Sequence, residues 1–159
     1  MLKFCGKDFK NMTGAYKQIQ LTNKTITAVA VDQFLPLGTI TRRINAPYNC
    51  CNTFVVSSST NDTVILNDPG FYKVTYSLTA AAAAAGEVTV ALVTNGSSVY
   101  SVTQTIVDEA NAVNLTLVYT IRVSPTCGSA PENVPVAVQL QNTGIALTGE
   151  TANLIIEKI

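Results

Sequence analysis

The chain has 159 residues, of which 47% are hydrophobic and 13% charged, and this size and composition predict one compact domain with a buried core and a short appendage. Ten basic and ten acidic side chains give a net charge of zero, so the overall charge does not indicate nucleic-acid binding. Histidine is absent, which excludes catalytic systems that need an imidazole base, and no run of eighteen apolar residues predicts insertion into a membrane.

The basic side chains are concentrated at the N-terminus. Residues 1–24 contain five lysines and one aspartate, a net charge of +4, whereas the rest of the chain has a net charge of −4. Phe4, Phe9 and Tyr16 lie among these lysines, and apolar side chains combined with positive charge suit docking onto an acidic protein surface. We therefore predict a basic N-terminal arm over residues 1–24, anchored by Phe4, Phe9 and Tyr16, and a head domain over residues 25–159. The alternative is a frayed terminus or an edge strand that covers the head.

Short segments of alternating apolar and polar residues follow, separated by turn residues. In chain order they are KTITAVAVDQF, GTITRRI, NTFVVSS, TVILN, GFYKVTYSLTA, EVTVALV, SSVYSVTQTIV, AVNLTLVYTIRV, VPVAVQLQ and ANLIIEKI. A period of two with many β-branched residues and a spacing of roughly 8–14 residues predicts an antiparallel sandwich or barrel. Asn95-Gly96 between two such segments predicts a two-residue hairpin turn.

Six consecutive alanines, residues 80–85, interrupt this strand pattern just before Gly86. Alanine favours helix, but six residues are too few for a stable isolated helix. The run is therefore either a helical turn between strands or a continuation of the preceding strand whose small side chains allow another backbone or subunit to approach. We favour the continued strand, with Gly86 supplying the turn.

The phase of the alternation separates a core side from an outer side in two strands. In the segment before the alanines, the predicted core side chains are Tyr72, Val74, Tyr76 and Leu78. The opposite side of that segment has Phe71, Lys73, Thr75, Ser77 and Thr79. In the longest segment, the side chains in phase are Leu115, Leu117, Tyr119, Ile121 and Val123. We therefore expect both strands to cover one side of a buried core.

The candidate metal ligands are few. The four cysteines, at irregular spacing and without a CxxC pair, are Cys5, Cys50, Cys51 and Cys127. A chain made in a reducing cytoplasm is expected to keep these as free, buried thiols rather than as two disulfides. Asp62 and Asp68 flank a short predicted strand and could offer oxygen ligands to calcium, but the spacing of a calcium-binding loop is missing. We expect no metal and no cofactor.

The order of the strands resembles the tumour-necrosis-factor and complement-globular-head superfamily. In that superfamily a G-x-Y-x-V/F-x-Y strand precedes an alternating strand that ends in N-G, and an apolar strand closes the domain. The matching positions are Gly70, Tyr72, Tyr76, Asn95 and Gly96. The resemblance covers residues 52–159 and is close to the bacterial and bacteriophage branch. Residues 124–135 form a longer, more proline-rich segment than the family's turn, and no collagen-like stem precedes the domain.

The resemblance implies an all-β jelly-roll sandwich of ten strands that assembles as a homotrimer around its inner sheet. The residues implied at the trimer interface are Lys73, Thr75, Ser77, Val118, Asn153 and Ile155. On the final strand, Ile159 shares the axis-facing phase, whereas Leu154 and Ile156 face the core. Val118 and Ile155 are apolar on faces that are otherwise polar, for which the alternative explanation is ordinary exposed hydrophobic residues.

These observations favour a non-enzymatic structural protein of a bacteriophage particle, a trimeric capsid decoration or head-fibre protein held by its arm. The N-terminal sequence MLKFCGKDFKNMTG lacks the apolar core of a secretory signal, so we expect synthesis in the host cytoplasm and a final place in the virion. Expected partners are capsid or tail proteins and a host-surface glycan or protein, with no nucleic acid. The alternatives are a secreted or surface trimeric ligand or lectin, which would need export, and a spore-surface protein, which would normally carry a collagen-like stem.

Overall fold

The structure, a computed structural model, describes residues 16–25, 27–44, 52–108 and 111–159. These residues form eleven strands and no helix. The strands are β1 (Lys17–Asn23), β2 (Thr39–Ile44), β3 (Phe54–Val56), β4 (Val64–Leu66), β5 (Gly70–Ala82), β6 (Gly86–Thr94), β7 (Ser97–Ile106), β8 (Ala112–Cys127), β9 (Asn133–Val134), β10 (Val136–Asn142) and β11 (Leu147–Lys158). The described residues contain no helix that is long and apolar enough to cross a membrane.

The strands form two sheets that enclose one core. The six-stranded sheet has the order β2-β1-β11-β5-β8-β9, and the five-stranded sheet has the order β3-β4-β10-β6-β7. All neighbouring strands are antiparallel except the short pair β8–β9. The chain passes from one sheet to the other six times, between β2 and β3, β4 and β5, β5 and β6, β7 and β8, β9 and β10, and β10 and β11. The fold is therefore a jelly-roll sandwich, as predicted, with eleven strands instead of ten.

The predicted core phases are confirmed. The fully or nearly fully buried side chains of β5 are Tyr72, Val74, Tyr76 and Leu78. Those of β8 are Leu115, Leu117, Ile121 and Val123, whereas Tyr119 is only half-buried. Leu154 and Ile156 of β11 also face the core. Because successive side chains of a strand point to opposite sides, the alternating residues of β5, β8 and β11 lie together on the other side of the six-stranded sheet.

The first strand lies inside the segment predicted as an arm. β1 pairs with β11 on one side and β2 on the other, and its Ile19 and Leu21 are fully buried. The described part of the predicted arm therefore belongs to the head, and the boundary predicted at residue 24 moves to before Lys17. The local sequence KQIQLT alternates correctly, but its polar residues and the lysine suggested exposure. Phe4 and Phe9 lie outside the described residues.

The described residues 24–25 and 27–34 lie outside the strands, although the sequence predicts a strand over this segment. Val29 makes an isolated bridge to Leu147 of the six-stranded sheet, and Phe34 makes one to Gln141 of the five-stranded sheet. Between them Asp32 has a positive φ of 61°, a left-handed conformation within a turn. The segment crosses from one sheet to the other over the end of the sandwich, so its alternation does not produce a continuous ladder.

The alanine run continues β5, as favoured from the sequence. The strand extends to Ala82, and Ala80 and Ala82 point into the core opposite Glu150 and Leu147. The last three alanines form the bend that leads to Gly86. Small inward side chains leave room at this position for the side chain of Glu150, so tertiary packing overrides helix propensity.

The predicted hairpin turn is confirmed, because both Asn95 (φ 45°) and Gly96 (φ 81°) have the left-handed conformation that such a two-residue turn requires.

The expectation of free, buried thiols is wrong for Cys127, which is exposed and disulfide-bonded. The other three cysteines lie outside the described residues. Oxidation thus adds a covalent link at the end of β8 that composition alone did not predict.

Candidate functional site

The side of the six-stranded sheet that points away from the core contains all six residues predicted for a trimer interface. Strands β1, β11, β5 and β8 align across it in register. Three successive rows are Thr22–Asn153–Ser77–Thr116, Gln20–Ile155–Thr75–Val118 and Gln18–Glu157–Lys73–Thr120. These twelve residues are called the front face. The predicted Lys73, Thr75, Ser77, Val118, Asn153 and Ile155 are therefore neighbours on one surface, although they come from three strands.

The middle row of the front face is uncharged and partly apolar. Val118 is 50% exposed, and Ile155 is half-buried between Gln20 and Thr75. A surface with such a centre can pack against another protein without removing an unpaired charge from water. The centre of the front face is thus suited to association.

The upper row is ordered by hydrogen bonds. Asn153 Oδ1 accepts one bond from Gln20 Nε2 at 3.0 Å and another from Thr22 Oγ1 at 3.1 Å. These bonds join β1 to β11 through their side chains as well as their backbones. They hold the Asn153 amide in one orientation, so a partner would meet a preformed surface.

The lower row contains the charged residues of the front face. Glu157 Oε1 accepts a bond from the Tyr16 hydroxyl at 2.8 Å and another from Gln18 Nε2 at 3.1 Å. The hydrogen bond to Glu157 raises the pKa of the Tyr16 phenol. Lys73 lies opposite Glu157 on the next strand. Tyr16, predicted as an anchor residue, is therefore attached to the rim of the front face.

A row of exposed side chains called the basal edge, Tyr16, Ile159, Phe71 and Arg122, lies just beyond the lower row. The Ile159 amide donates to the Phe71 carbonyl at 3.0 Å, and Phe71 pairs with Arg122. Tyr16, Phe71 and Ile159 are 53%, 53% and 69% exposed. The chain enters the head at Tyr16, so residues 1–15 are attached at this apolar edge.

A buried ion pair connects the basal end of β1 to the loop before β5. Lys17 Nζ donates to Asp68 Oδ2 at 2.5 Å, and Thr53 Oγ1 donates to the same oxygen at 2.6 Å. Both side chains of the pair are less than 10% exposed. Because Asp68 already balances a buried lysine, it does not suit the calcium-ligand role considered from the sequence.

A second buried acid has no cationic partner among the described residues. Glu150 is 1% exposed, and its Oε1 accepts a bond from Asn23 Nδ2 at 2.6 Å. Neither Glu150 Oε2 nor the buried hydroxyl of Tyr76 has a hydrogen-bond partner within the described part of the chain. Burial raises the pKa of Glu150 to about 7. In the ranges that the structure describes, no group of three acidic, cysteine or histidine side chains could hold a metal.

Sequence reasoning missed the contribution of β1 to the front face. Gln18, Gln20 and Thr22 form its fourth column, and their side chains donate the hydrogen bonds that hold Asn153 and Glu157 of β11. The alternation in QIQLT was a sufficient signal for this strand. The sequence analysis assigned this segment to the arm and gave a strand only as the alternative.

No known family model matches the sequence, and no curated protein matches it. Solved structures do share its fold. The globular domain of zebrafish complement 1qA protein matches with a TM-score of 0.61 and 8% identity, covering 88% of this chain and 94% of that one. The Eiger TNF from S. frugiperda matches with a TM-score of 0.63 and 8% identity, covering 91% of each chain. The PRD1 vertex protein P5 matches with a TM-score of 0.58 and 13% identity, covering 92% of this chain and 99% of that one.

These similarities establish a TNF- and C1q-like jelly roll, which confirms the resemblance predicted from residues 52–159, and they cover 88–92% of this chain. The three proteins differ in what their names say they do: two belong to the complement and TNF groups, and one is a vertex protein. At such low identity the shared feature is the fold. The function must therefore be argued from the surfaces of this chain.

Proposed function

We propose that this chain is a non-enzymatic structural protein of a bacteriophage particle and that it forms a homotrimer through its front face. Residues 1–15 fix the head to a capsid or tail protein. The head then serves as a decoration or head fibre of the particle and as a contact with the host surface.

The front face is the observation that carries this proposal. It is a surface of four hydrogen-bonded strands whose centre, with Val118 and Ile155, is uncharged. Its two charges, Lys73 and Glu157, are of opposite sign and lie opposite each other at the rim. Around a threefold axis, three copies would bury the apolar centre without isolating a charge.

The geometry of the basal edge supports attachment at one end. Residues 1–15 join the head beside the exposed Phe71 and Ile159, and they contain three lysines and one aspartate. A basic segment and an exposed apolar row at the same end suit a common partner surface of acidic character. The fold shared with a phage vertex protein over almost the whole chain is consistent with a place on a virus particle.

Deleting residues 1–15 tests the attachment. This deletion leaves β1 intact, whereas deleting residues 1–24 would remove a central strand of the six-stranded sheet. We expect the shortened head to fold and to keep the oligomeric state of the full chain, but to be absent from purified particles in a quantitative mass-spectrometric assay. The control is the full-length Thr103→Glu variant, altered at an exposed position of β7, which should be incorporated normally. Normal incorporation of the shortened head would contradict the anchor.

A secreted or surface trimeric ligand or lectin is the second candidate. It is favoured by the matches to the complement 1qA domain and Eiger TNF, whose TM-scores are as high as that of the vertex protein. Both candidates predict a trimer, so the discriminating observation is location. Copies of the chain in purified virus particles support the first candidate, and copies only in the medium or on a cell surface support the second.

A further inference from the structure

An open groove of about 440 Å³ lies at the free edge of β8, beside the front face. Its walls come from three places: residues 119–122 of β8, the β6–β7 hairpin with Thr94 and Val99, and residues 130–132 of the loop before β9. Along residues 112–123, β8 pairs with β5 alone among the described strands. The groove falls within the size range of small-molecule sites, about 300–1,000 Å³.

Two stacked tyrosines support one side of the groove. The rings of Tyr100 and Tyr119 lie 4.9 Å apart between centroids at an angle of 16°. Tyr119 lines the groove, and Tyr100 is 40% exposed. No hydrogen bond to another described residue involves the hydroxyl of Tyr119, so this group remains available to a ligand. The pair provides a flat aromatic surface whose orientation is fixed by stacking.

Two exposed side chains of opposite charge, Arg122 and Glu132, also line the groove. Neither makes an ion pair or a side-chain hydrogen bond with another described residue. Arg122 offers five N–H donors in a planar fork, and Glu132 offers two acceptor oxygens. An arginine alone would favour an anion, but Glu132 offsets its charge and so favours a neutral ligand rich in hydroxyl groups.

The loop that carries Glu132 is held in place by Asn95 of the hairpin. Asn95 Nδ2 lies within 2.9 Å of the Ala130 carbonyl and 3.2 Å of the Asn133 carbonyl, and Asn95 Oδ1 accepts the Ala137 amide at 2.7 Å. The Ser124 amide also donates to the Glu132 carbonyl at 2.6 Å. The groove is therefore formed before any ligand arrives, which lowers the entropic cost of binding.

We propose that this groove binds a neutral saccharide. A pyranose ring has an apolar C–H side that packs on an aromatic ring and a rim of neighbouring hydroxyls that match a guanidinium and a carboxylate. Tyr119 on the core side of β8 and Arg122 on its outer side both line the groove at the free edge of this strand, together with Glu132, and these residues are the ones that would supply the three elements. All the residues that line the groove belong to one protomer, although Thr120 is also part of the front face and Arg122 is part of the basal edge.

Saturation-transfer NMR on the full chain tests this site with free glucose, galactose, mannose, rhamnose, N-acetylglucosamine and N-acetylgalactosamine at millimolar concentration. We expect transfer to the ring protons of at least one sugar. Replacing Arg122 by Ala should weaken that sugar's affinity by about tenfold, the loss expected for a charge-assisted hydrogen bond. Glu132→Gln should weaken it less, because an amide keeps one acceptor.

The matched control is Arg43→Ala, which removes an exposed arginine from β2 at the opposite edge of the same sheet and should leave binding unchanged. Both arginines are exposed, so neither change should unfold the head, and a thermal melt of each variant checks this. The proposal is overturned if no neutral sugar shows transfer, if only the acidic sugar sialic acid does, or if Arg122→Ala and Arg43→Ala bind the sugar equally. Light scattering on the same samples reports the oligomeric state, so failure of the groove is distinguishable from failure of the trimer.

Discussion

At the scale of single residues, Glu150 is a buried acidic side chain whose charge is not balanced by a described basic residue. Its carboxyl group is buried, one oxygen lacks a partner among the described groups, and the nearby Tyr76 hydroxyl is likewise unsatisfied. The pKa is raised from 4.5 to about 7, mainly by burial and despite the hydrogen bond from Asn23. Raised pKa values mean that the folded state binds the proton more tightly than the unfolded chain.

Glu150 should therefore make stability depend on pH. Its contribution is greatest below pH 4.5, falls as the pH rises from about 4.5 to about 7, and is constant at its lowest level above that. The Glu150→Gln variant keeps the size and removes the titration, so at pH 8 it should be more stable than the wild type by about 2–3 kcal/mol. Denaturant melts between pH 4 and pH 8 measure this, with the exposed Glu87→Gln as the control that should not differ from wild type. A Glu150→Gln curve parallel to the wild-type curve would contradict the assignment.

Lys17 and Asp68 form the other buried charged site, and here both charges are paired. Replacing Asp68 by Asn leaves the lysine buried without a counter-charge, so we expect a loss of about 3–5 kcal/mol in the free energy of unfolding. The double variant Lys17→Met/Asp68→Asn also removes the unpaired lysine charge and should recover part of that loss. If the single variant were as stable as the wild type, the ion pair would not be the link that holds the basal end of β1.

At the scale of strands, β5 and β8 could be predicted because their local sequence pattern agrees with their position in the fold. β5 and β8 each bury one side against the core and expose the other, so a period of two identified the strand, its phase and the residues of the front face. The same alternating pattern led to wrong predictions for segments whose position in the fold differs from what their local sequence indicates. Residues 29–34 cross between the sheets, and β1 contains a lysine whose partner lies 51 residues away.

Contacts of that kind explain why only part of the candidate sites was predictable. The front face follows from strand phase together with a family resemblance. The groove does not, because Tyr119, Glu132 and the hairpin residue Asn95 are distant in sequence and meet only through the hairpin-to-loop hydrogen bonds. The disulfide at Cys127 similarly depends on which cysteines the fold brings together.

The start of β2 depends on a close approach to β1 at Gly38. Gly38 has a φ of 79°, and a Cβ atom there would lie 2.2 Å from the Thr22 carbonyl oxygen. Gly38→Ala should therefore cost about 3 kcal/mol or more, because backbone strain adds to a clash with main-chain atoms. Gly96→Ala is the control: its φ is 81°, but the space around it is open, so only the strain of about 1–2 kcal/mol applies. Thermal unfolding measures both, and equal losses would show that the clash at Gly38 relaxes freely.

At the scale of the whole molecule, the jelly roll has three functional regions with different tasks in our proposal. The front face associates with other copies, the basal edge receives the N-terminal segment, and the groove at the edge of β8 binds a sugar. Each region includes residues of the same six-stranded sheet, in which Phe71 and Arg122 form one row and Val118 lies two rows further along β8. Function can thus be divided without separate domains.

Light scattering of the purified chain, coupled to size exclusion at micromolar concentration, tests the proposed assembly most directly. We predict a mass of about 50 kDa, three times the 16.8 kDa of one chain, for the wild type and for the control Thr103→Glu on the five-stranded sheet. Val118→Glu places a negative charge at the centre of the front face in each copy, so it should shift the mass towards that of the monomer. A wild type of about 17 kDa, or a Val118→Glu variant that remains at 50 kDa, would contradict association through the front face.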